Sequence, residues 1–106
     1  MYELLYKFVG LISSYKFTHV KICKTMISQD FNKIICQRIA QLRKERKMTL
    51  EQLAYRSEIS KGGLSEIERN MKEPRAYTIL KLCSGLGISM KEFFDFEEIN
   101  DFMNLL

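Results

Sequence analysis

A chain of 106 residues holds one domain with short extensions and buries a single modest core, which leaves no room for a large catalytic cleft. Its 46% hydrophobic and 28% charged residues are ordinary for a soluble globular protein, and five glycines with one proline exclude long loops and collagen-like tracts and favour helices. The net charge of +4 is unevenly spread: residues 31–75 carry 11 Lys or Arg against 6 acids, whereas 76–106 carry 2 against 5, a basic half suited to a polyanion beside an acidic one.

Residues 1–30 form an N-terminal extension with no single job. Leu4, Leu5, Phe8, Val9, Leu11 and Ile12 could line a short helix, but Lys7 interrupts the run and no small-residue cleavage site follows, so the stretch does not read as a signal peptide. Tyr15, Phe17, Val20 and Ile22 among Lys16, Lys21 and Lys24 are neither alternating nor helical in period. Three roles fit: a packing or dimerisation arm, a basic arm touching DNA backbone, or an extension ahead of a true start at Met26. Cys23, Cys36 and Cys83 are odd in number and form no C-x-x-C pair, which argues against a disulfide framework or a zinc site and for a reducing cytoplasm. Cys36 and Cys83 fall in apolar helical patterns and read as small core residues. No run of about 18 apolar residues is present, so no membrane association is expected.

Helical periodicity begins at Phe31. Phe31, Ile34, Ile35, Ile39 and Leu42 recur on one face, and the helix closes on Arg43, Lys44, Arg46 and Lys47, cations that suit its C-terminal dipole. Thr49 with Gln52 is a capping box, and Met48 and Leu53 are placed as its hydrophobic staple. Ser60, flanked by Ile59 and Leu64, repeats the cap about one turn after that second helix ends, and Asn70 suits the left-handed residue that closes the third. Two short helices joined by a turn of about four residues have the proportions of a helix-turn-helix, whose second helix lies in the DNA major groove. After the polar loop NMKEPR, a fourth helix carries Ile79, Leu80, Leu82, Cys83 and Leu86 and stops at Gly87; Ser89 with Glu92 makes another capping box, stapled by Ile88 and Phe93, for a fifth that takes Phe93 and Phe94 inward. Phe96, Ile99, Phe102, Met103, Leu105 and Leu106 remain as an apolar tail, either an interface or a segment that folds back.

With these elements placed, residues 31–97 resemble the phage-repressor-like helix-turn-helix family of lambda-repressor or Xre type. The resemblance rests on Ile39, Leu42 and Arg43, on MTLEQLA at 48–54, ISKGGLSEIERN at 59–70, Pro74, and LGISMKEFF at 86–94. It implies an all-α, compact five-helix DNA-binding domain over residues 31–97, with the extension at 1–30 and a short apolar tail at 98–106. Residue by residue, it implies that Lys61, Gly62 and Glu66 face base edges from the recognition helix 60–69, with Gly63 and Ser65 close to the groove. Lys61 has the chemistry to donate to guanine O6 or N7, and Glu66 to accept from cytosine N4. The two glycines each cost the helix about 1 kcal/mol relative to alanine, and either allow close backbone approach to DNA or are tolerated by a helix braced by Leu64 and Ile67. Backbone anchors implied by the family are Lys47, Thr49 with the N–H groups of its helix, Asn70, Lys72 and Arg75. Leu50 stands where relatives often carry a phosphate-contacting glutamine, and Arg75 where a small cap is common. Arg43 and Glu68 match a structural ion pair between helix one and the recognition helix.

The resemblance therefore implies a cytoplasmic, sequence-specific regulator, most often a repressor, acting as a homodimer on palindromic double-stranded DNA without metal or other cofactor. A second reading is an antitoxin-like interaction module that binds a protein partner through its tail or N-terminal arm and autoregulates its operon. No catalytic residue is identified: the single histidine, His19, has no nucleophile or carboxylate pairing and reads as a surface residue.

Overall fold

No glycine or proline interrupts residues 19–45, and the chain there runs as one 27-residue helix, α1, His19–Glu45. The computed structural model describes residues 19–105, with side chains from residue 28 onward. Five further helices follow and no strand is found among the described residues: α2 Leu50–Arg56, α3 Lys61–Glu68, α4 Ala76–Leu86, α5 Met90–Phe94 and α6 Glu97–Leu105. None of the described helices is long and apolar enough to cross a membrane. The described residues divide into two units, one of Asn32–Asp95 and one of residues 19–31 with 96–105.

The larger unit is built on the inward stripe of α1, where Ile35, Ile39 and Leu42 recur at helical spacing and are buried. Leu53 and Ala54 of α2, Leu64 and Ile67 of α3, Ile79, Leu82, Cys83 and Leu86 of α4, and Phe93 of α5 complete this core. Each large apolar side chain so buried contributes about 1.5–3 kcal/mol, against about 1 kcal/mol for a helix cap. Burial thus decides that the helices assemble, and the caps decide where each one ends. Burial also raises both core thiols above their ordinary range. Cys36 is pushed up to about 11 by desolvation and then by the negative charge of Glu73, so it stays a neutral thiol at physiological pH.

The start of α2 carries the full capping box: Thr49 Oγ1 accepts from the Gln52 N–H at 3.1 Å, and Gln52 Oε1 accepts from the Thr49 N–H at 2.9 Å. Ser60 and Ser89 cap α3 and α5 from one side only, accepting from the Gly63 and Glu92 N–H groups; at α3 the return bond is chemically impossible because position three is glycine, and at α5 the capping box expected of Ser89 and Glu92 is half-formed, with the Ser89 hydroxyl as its single bond. The helix C-termini share one device. Lys47, Glu58 and Asn70 adopt left-handed φ values of 54°, 55° and 59°, and the following N–H bonds back to Arg43, Ala54 and Glu66 respectively, as in Schellman motifs. Gly87, at φ 74°, ends α4 in the same manner.

One sequence expectation is corrected, and two apolar stretches are placed. Helix one starts at His19 rather than Phe31, because HVKICKTMISQD contains no breaker even though it shows no apolar stripe; the extension and helix one are thus continuous over 19–30. The apolar tail forms helix α6: Glu97 and Glu98 suit its N-terminus, and Phe102 is buried edge-on to Phe31, 5.8 Å between ring centroids. Leu80, one of the apolar positions that mark the fourth helix, is exposed, since the Ile79, Leu82, Cys83 and Leu86 positions already fill the inward face of α4. The apolar positions from Leu4 to Phe17 lie outside the described residues, as do the side chains of His19, Val20, Ile22, Cys23 and Leu106.

One glycine is required by packing. Gly85 of α4 lies against Ser57 at the end of α2, where an added methyl would overlap Ser57 Oγ and stand 3.1 Å from the Ser57 backbone nitrogen. Gly85→Ala is expected to lower stability by about 1–3 kcal/mol, read as a fall in Tm. Glu58→Gly should act in the opposite direction, raising stability by about 1 kcal/mol and Tm by about 4–8 °C, because glycine adopts the left-handed conformation without the Cβ clash.

Candidate nucleic-acid interface

The turn between α2 and α3 is set by the end of one helix and the cap of the next. Ser57 closes α2, Glu58 takes the left-handed position, the Ile59 N–H returns to Ala54, and Ser60 caps α3. Leu64 and Ile67 are buried at 0% and 3% exposure, which fixes the rotation of α3 about its axis. The opposite face is then open: Lys61, Gly62 and Glu66 are exposed, while Gly63 and Ser65 are half-buried at its edge.

Arg43 of α1 fixes both helices of this motif. Its Nε and Nη2 donate to the Glu68 carboxylate at 2.8–3.2 Å, and its Nη1 donates to the Met48 carbonyl at 2.8 Å, just ahead of α2. The guanidinium and carboxylate are only 14% and 9% exposed, so this pair is shielded from solvent. Two more arginines of α1 satisfy carbonyls at helix C-termini. Arg38 donates to the Phe93 and Glu92 carbonyls of α5, and Arg46 donates to the Leu86 carbonyl of α4. The Glu92 carbonyl also accepts from the Asp95 N–H at 3.3 Å, so Arg38 adds a second donor there, at a helix end whose last carbonyls lack a full set of intrahelical partners.

The other positions singled out in the sequence surround α3. Lys47, Thr49, Asn70, Lys72 and Arg75 are all exposed. Asn70 holds its left-handed turn and accepts from the Asn32 side-chain amide at 2.7 Å. Arg75 is the N-cap of α4 but makes no side-chain capping bond. At Thr49 the capping box occupies its own N–H and that of Gln52, so the N–H groups left without an intrahelical acceptor are those of Leu50 and Glu51. A concavity of about 410 Å³ lies beside the first turn of α3, lined by Ser60, Gly63, Ile67, Lys72, Pro74 and Arg75 among others. It brings Lys72 and Arg75 from the α3–α4 loop to the side of the exposed face.

Sequence reasoning missed one contact on this face. Lys61 Nζ lies 2.6 Å from Glu51 Oε1, an ion pair between the first turns of α2 and α3, and this hydrogen bond lowers the Glu51 carboxyl below its ordinary pKa. The two residues are ten apart and sit on different helices, so no periodicity within one helix could reveal them. Gly62 is informative for the opposite reason: a methyl added there would meet nothing within 4 Å. Neither space nor a positive φ requires glycine at this position.

The helix-turn-helix model HTH_3 matches residues 39–93, slightly more than half of the chain. An HTH-type transcriptional regulator of Sinorhizobium fredii, y4dJ, is 35% identical over 63 residues, spanning 59% of this chain and 82% of its own length. The immunity repressor protein of Bacillus phage phi105 is 41% identical over 54 residues, which cover 51% of this chain but 38% of the phage protein. Among solved structures, the wild-type restriction-modification controller protein C.Esp1396I superposes with a TM-score of 0.61 at 27% identity, over 71% of this chain and 95% of that one.

Removing one partner of the shielded pair leaves a carboxylate at 9% exposure without its cation. Arg43→Ala is expected to cost about 2–4 kcal/mol in denaturant unfolding, and the Arg43→Ala/Glu68→Ala double mutant to cost clearly less than the sum of the two single mutants, the difference being the coupling energy of the pair in a double-mutant cycle.

Proposed function

We propose, for a chain that belongs to the helix-turn-helix family of DNA-binding transcriptional regulators, that α3 is the recognition helix and that the protein works as a repressor, a homodimer on a palindromic operator. The observation that carries the reading is the division of α3 itself. Its inward positions, Leu64 and Ile67, are spent on the core, and its outward positions, Lys61, Gly62 and Glu66, make no contribution to that core.

In this reading, Lys61 donates to guanine O6 or N7, and Glu66 accepts from cytosine N4. Gly62 and Gly63 let the α3 backbone come close to the groove floor, with Ser65 at its edge. Lys47, the Thr49 end of α2, Asn70, Lys72 and Arg75 bind phosphates on either side and set the register without reading sequence. Two copies place their α3 helices in successive major grooves about 34 Å apart, and the bound dimer excludes polymerase by occupying the site. The phage repressor among the relatives supports repression as the outcome, and the basic run through residues 31–75 supports binding to a polyanion.

The roles divide cleanly in a titration of a preferred duplex and a random duplex at several salt concentrations. Lys61→Ala is expected to weaken the preferred duplex by about tenfold or more and the random one far less, whereas Lys72→Ala should weaken both and reduce the salt slope by about 1. Equal losses on both duplexes for both variants would contradict this assignment. Gly62→Ala separates the two readings of the glycine: it should raise Tm, since the methyl enters open space and alanine favours the helix by about 1 kcal/mol, and yet weaken DNA binding. A rise in Tm with undiminished affinity would show that the glycine is merely tolerated.

A further inference from the structure

The Glu51–Lys61 pair does not belong to the stability of the fold. Its side chains are 71% and 60% exposed, and a single contact between such groups in high dielectric contributes little to folding. The helix dipole explains a carboxylate in the first turn of α2, but it does not explain why that carboxylate lies 2.6 Å from the lysine that opens α3. A carboxylate on a DNA-facing surface is, by itself, a handicap against phosphates.

The pairing has two physical consequences. Lys61 is an ammonium on a four-carbon stem with three donors, and alone it would bind any nearby phosphate in any sequence. With Glu51 beside it, the pair carries no net charge at a distance, so its sequence-independent attraction for DNA is cancelled. One donor is occupied by Oε1, which localises the ammonium between the first turns of α2 and α3 and leaves two donors for an acceptor presented there. Base edges in the major groove present such acceptors at fixed positions, whereas phosphates lie along the groove walls.

We propose that Glu51 is a positioning residue for sequence discrimination: it holds the Lys61 ammonium between the first turns of α2 and α3, so that the lysine is used on a base-edge acceptor rather than on phosphates. The assignment rests on the reading of α3 as the recognition helix. It makes Glu51 lower the affinity for random DNA while preserving the affinity for the preferred site, which raises the ratio of the two.

The test measures the full chain against a duplex carrying the preferred site and a scrambled duplex of equal length, for the wild type, Glu51→Gln, Glu51→Asp, Lys61→Ala and the Glu51→Gln/Lys61→Ala double variant. Glu51→Gln is expected to tighten scrambled-duplex binding severalfold, to steepen its salt slope by about 1, and to lower the preferred-to-scrambled ratio by roughly 3–10-fold. Glu51→Asp, which keeps the charge but shortens the reach, should also lower the ratio while leaving the salt slope near wild type. In the Lys61→Ala background, Glu51→Gln should leave the ratio unchanged. A ratio insensitive to Glu51, or one that falls equally without Lys61, overturns the assignment alone. A wild type that prefers no duplex overturns the reading of α3 and this assignment with it.

Discussion

The geometry of the motif depends on one guanidinium. Arg43 grips Glu68 near the end of α3 and the Met48 carbonyl ahead of α2, so a single planar group on α1 sets the position of both helices. Hydrophobic burial supplies far more energy, but it is non-directional, and a core of Ile, Leu and Phe tolerates small rotations of a helix. A forked, charge-assisted contact does not tolerate them. The pair therefore converts an assembled core into one with α3 held in a fixed orientation, and its shielding from solvent is what gives the contact its strength.

The same logic runs through the remaining helix ends. Helices of five, seven and eight residues are too short to persist alone in water, so α2, α3 and α5 exist because the core and their termini hold them. Side-chain oxygens of Thr49, Ser60 and Ser89 meet first-turn N–H groups, while Arg38 and Arg46 of α1 reach last-turn carbonyls of α5 and α4. Helix α1 is thus both a wall of the core and the donor of the caps. On this rigid frame the outer face of α3 is left with the least helix-favouring pair of residues in the motif, Gly62 and Gly63. Stability lost there is supplied by the frame.

Much of this was legible before any coordinates. Capping residues stand next to the backbone groups they serve, so Thr49, Ser60, Asn70, Gly87 and Ser89 marked the helix ends from local pattern alone. The periodic apolar positions of α1, α3 and α4 were equally local, although Phe31 and Leu80 among them are exposed. What stayed hidden were features whose cause lies elsewhere in the chain. Helix α6 is ordered by Phe102 against Phe31, 71 positions away, and the first turns of α1 carry no apolar stripe to announce them. Arg38, Arg46 and Glu51 act on partners in other helices, and Ser57 meets Gly85 only once α2 and α4 are packed. For the interface, the sequence resemblance named the residues around α3, while the ion pair that ties Lys61 and the empty space around Gly62 came from geometry.

The most direct test of sequence reading by α3 is selection of bound duplexes from a random pool by the purified protein at near-physiological salt, followed by sequencing. Enrichment of a palindrome whose half-sites lie about one helical turn apart is expected, as two copies presenting α3 to successive major grooves require. Recovery of bound duplexes with no shared motif would contradict it, and would mean that the outer face of α3 holds DNA without reading it.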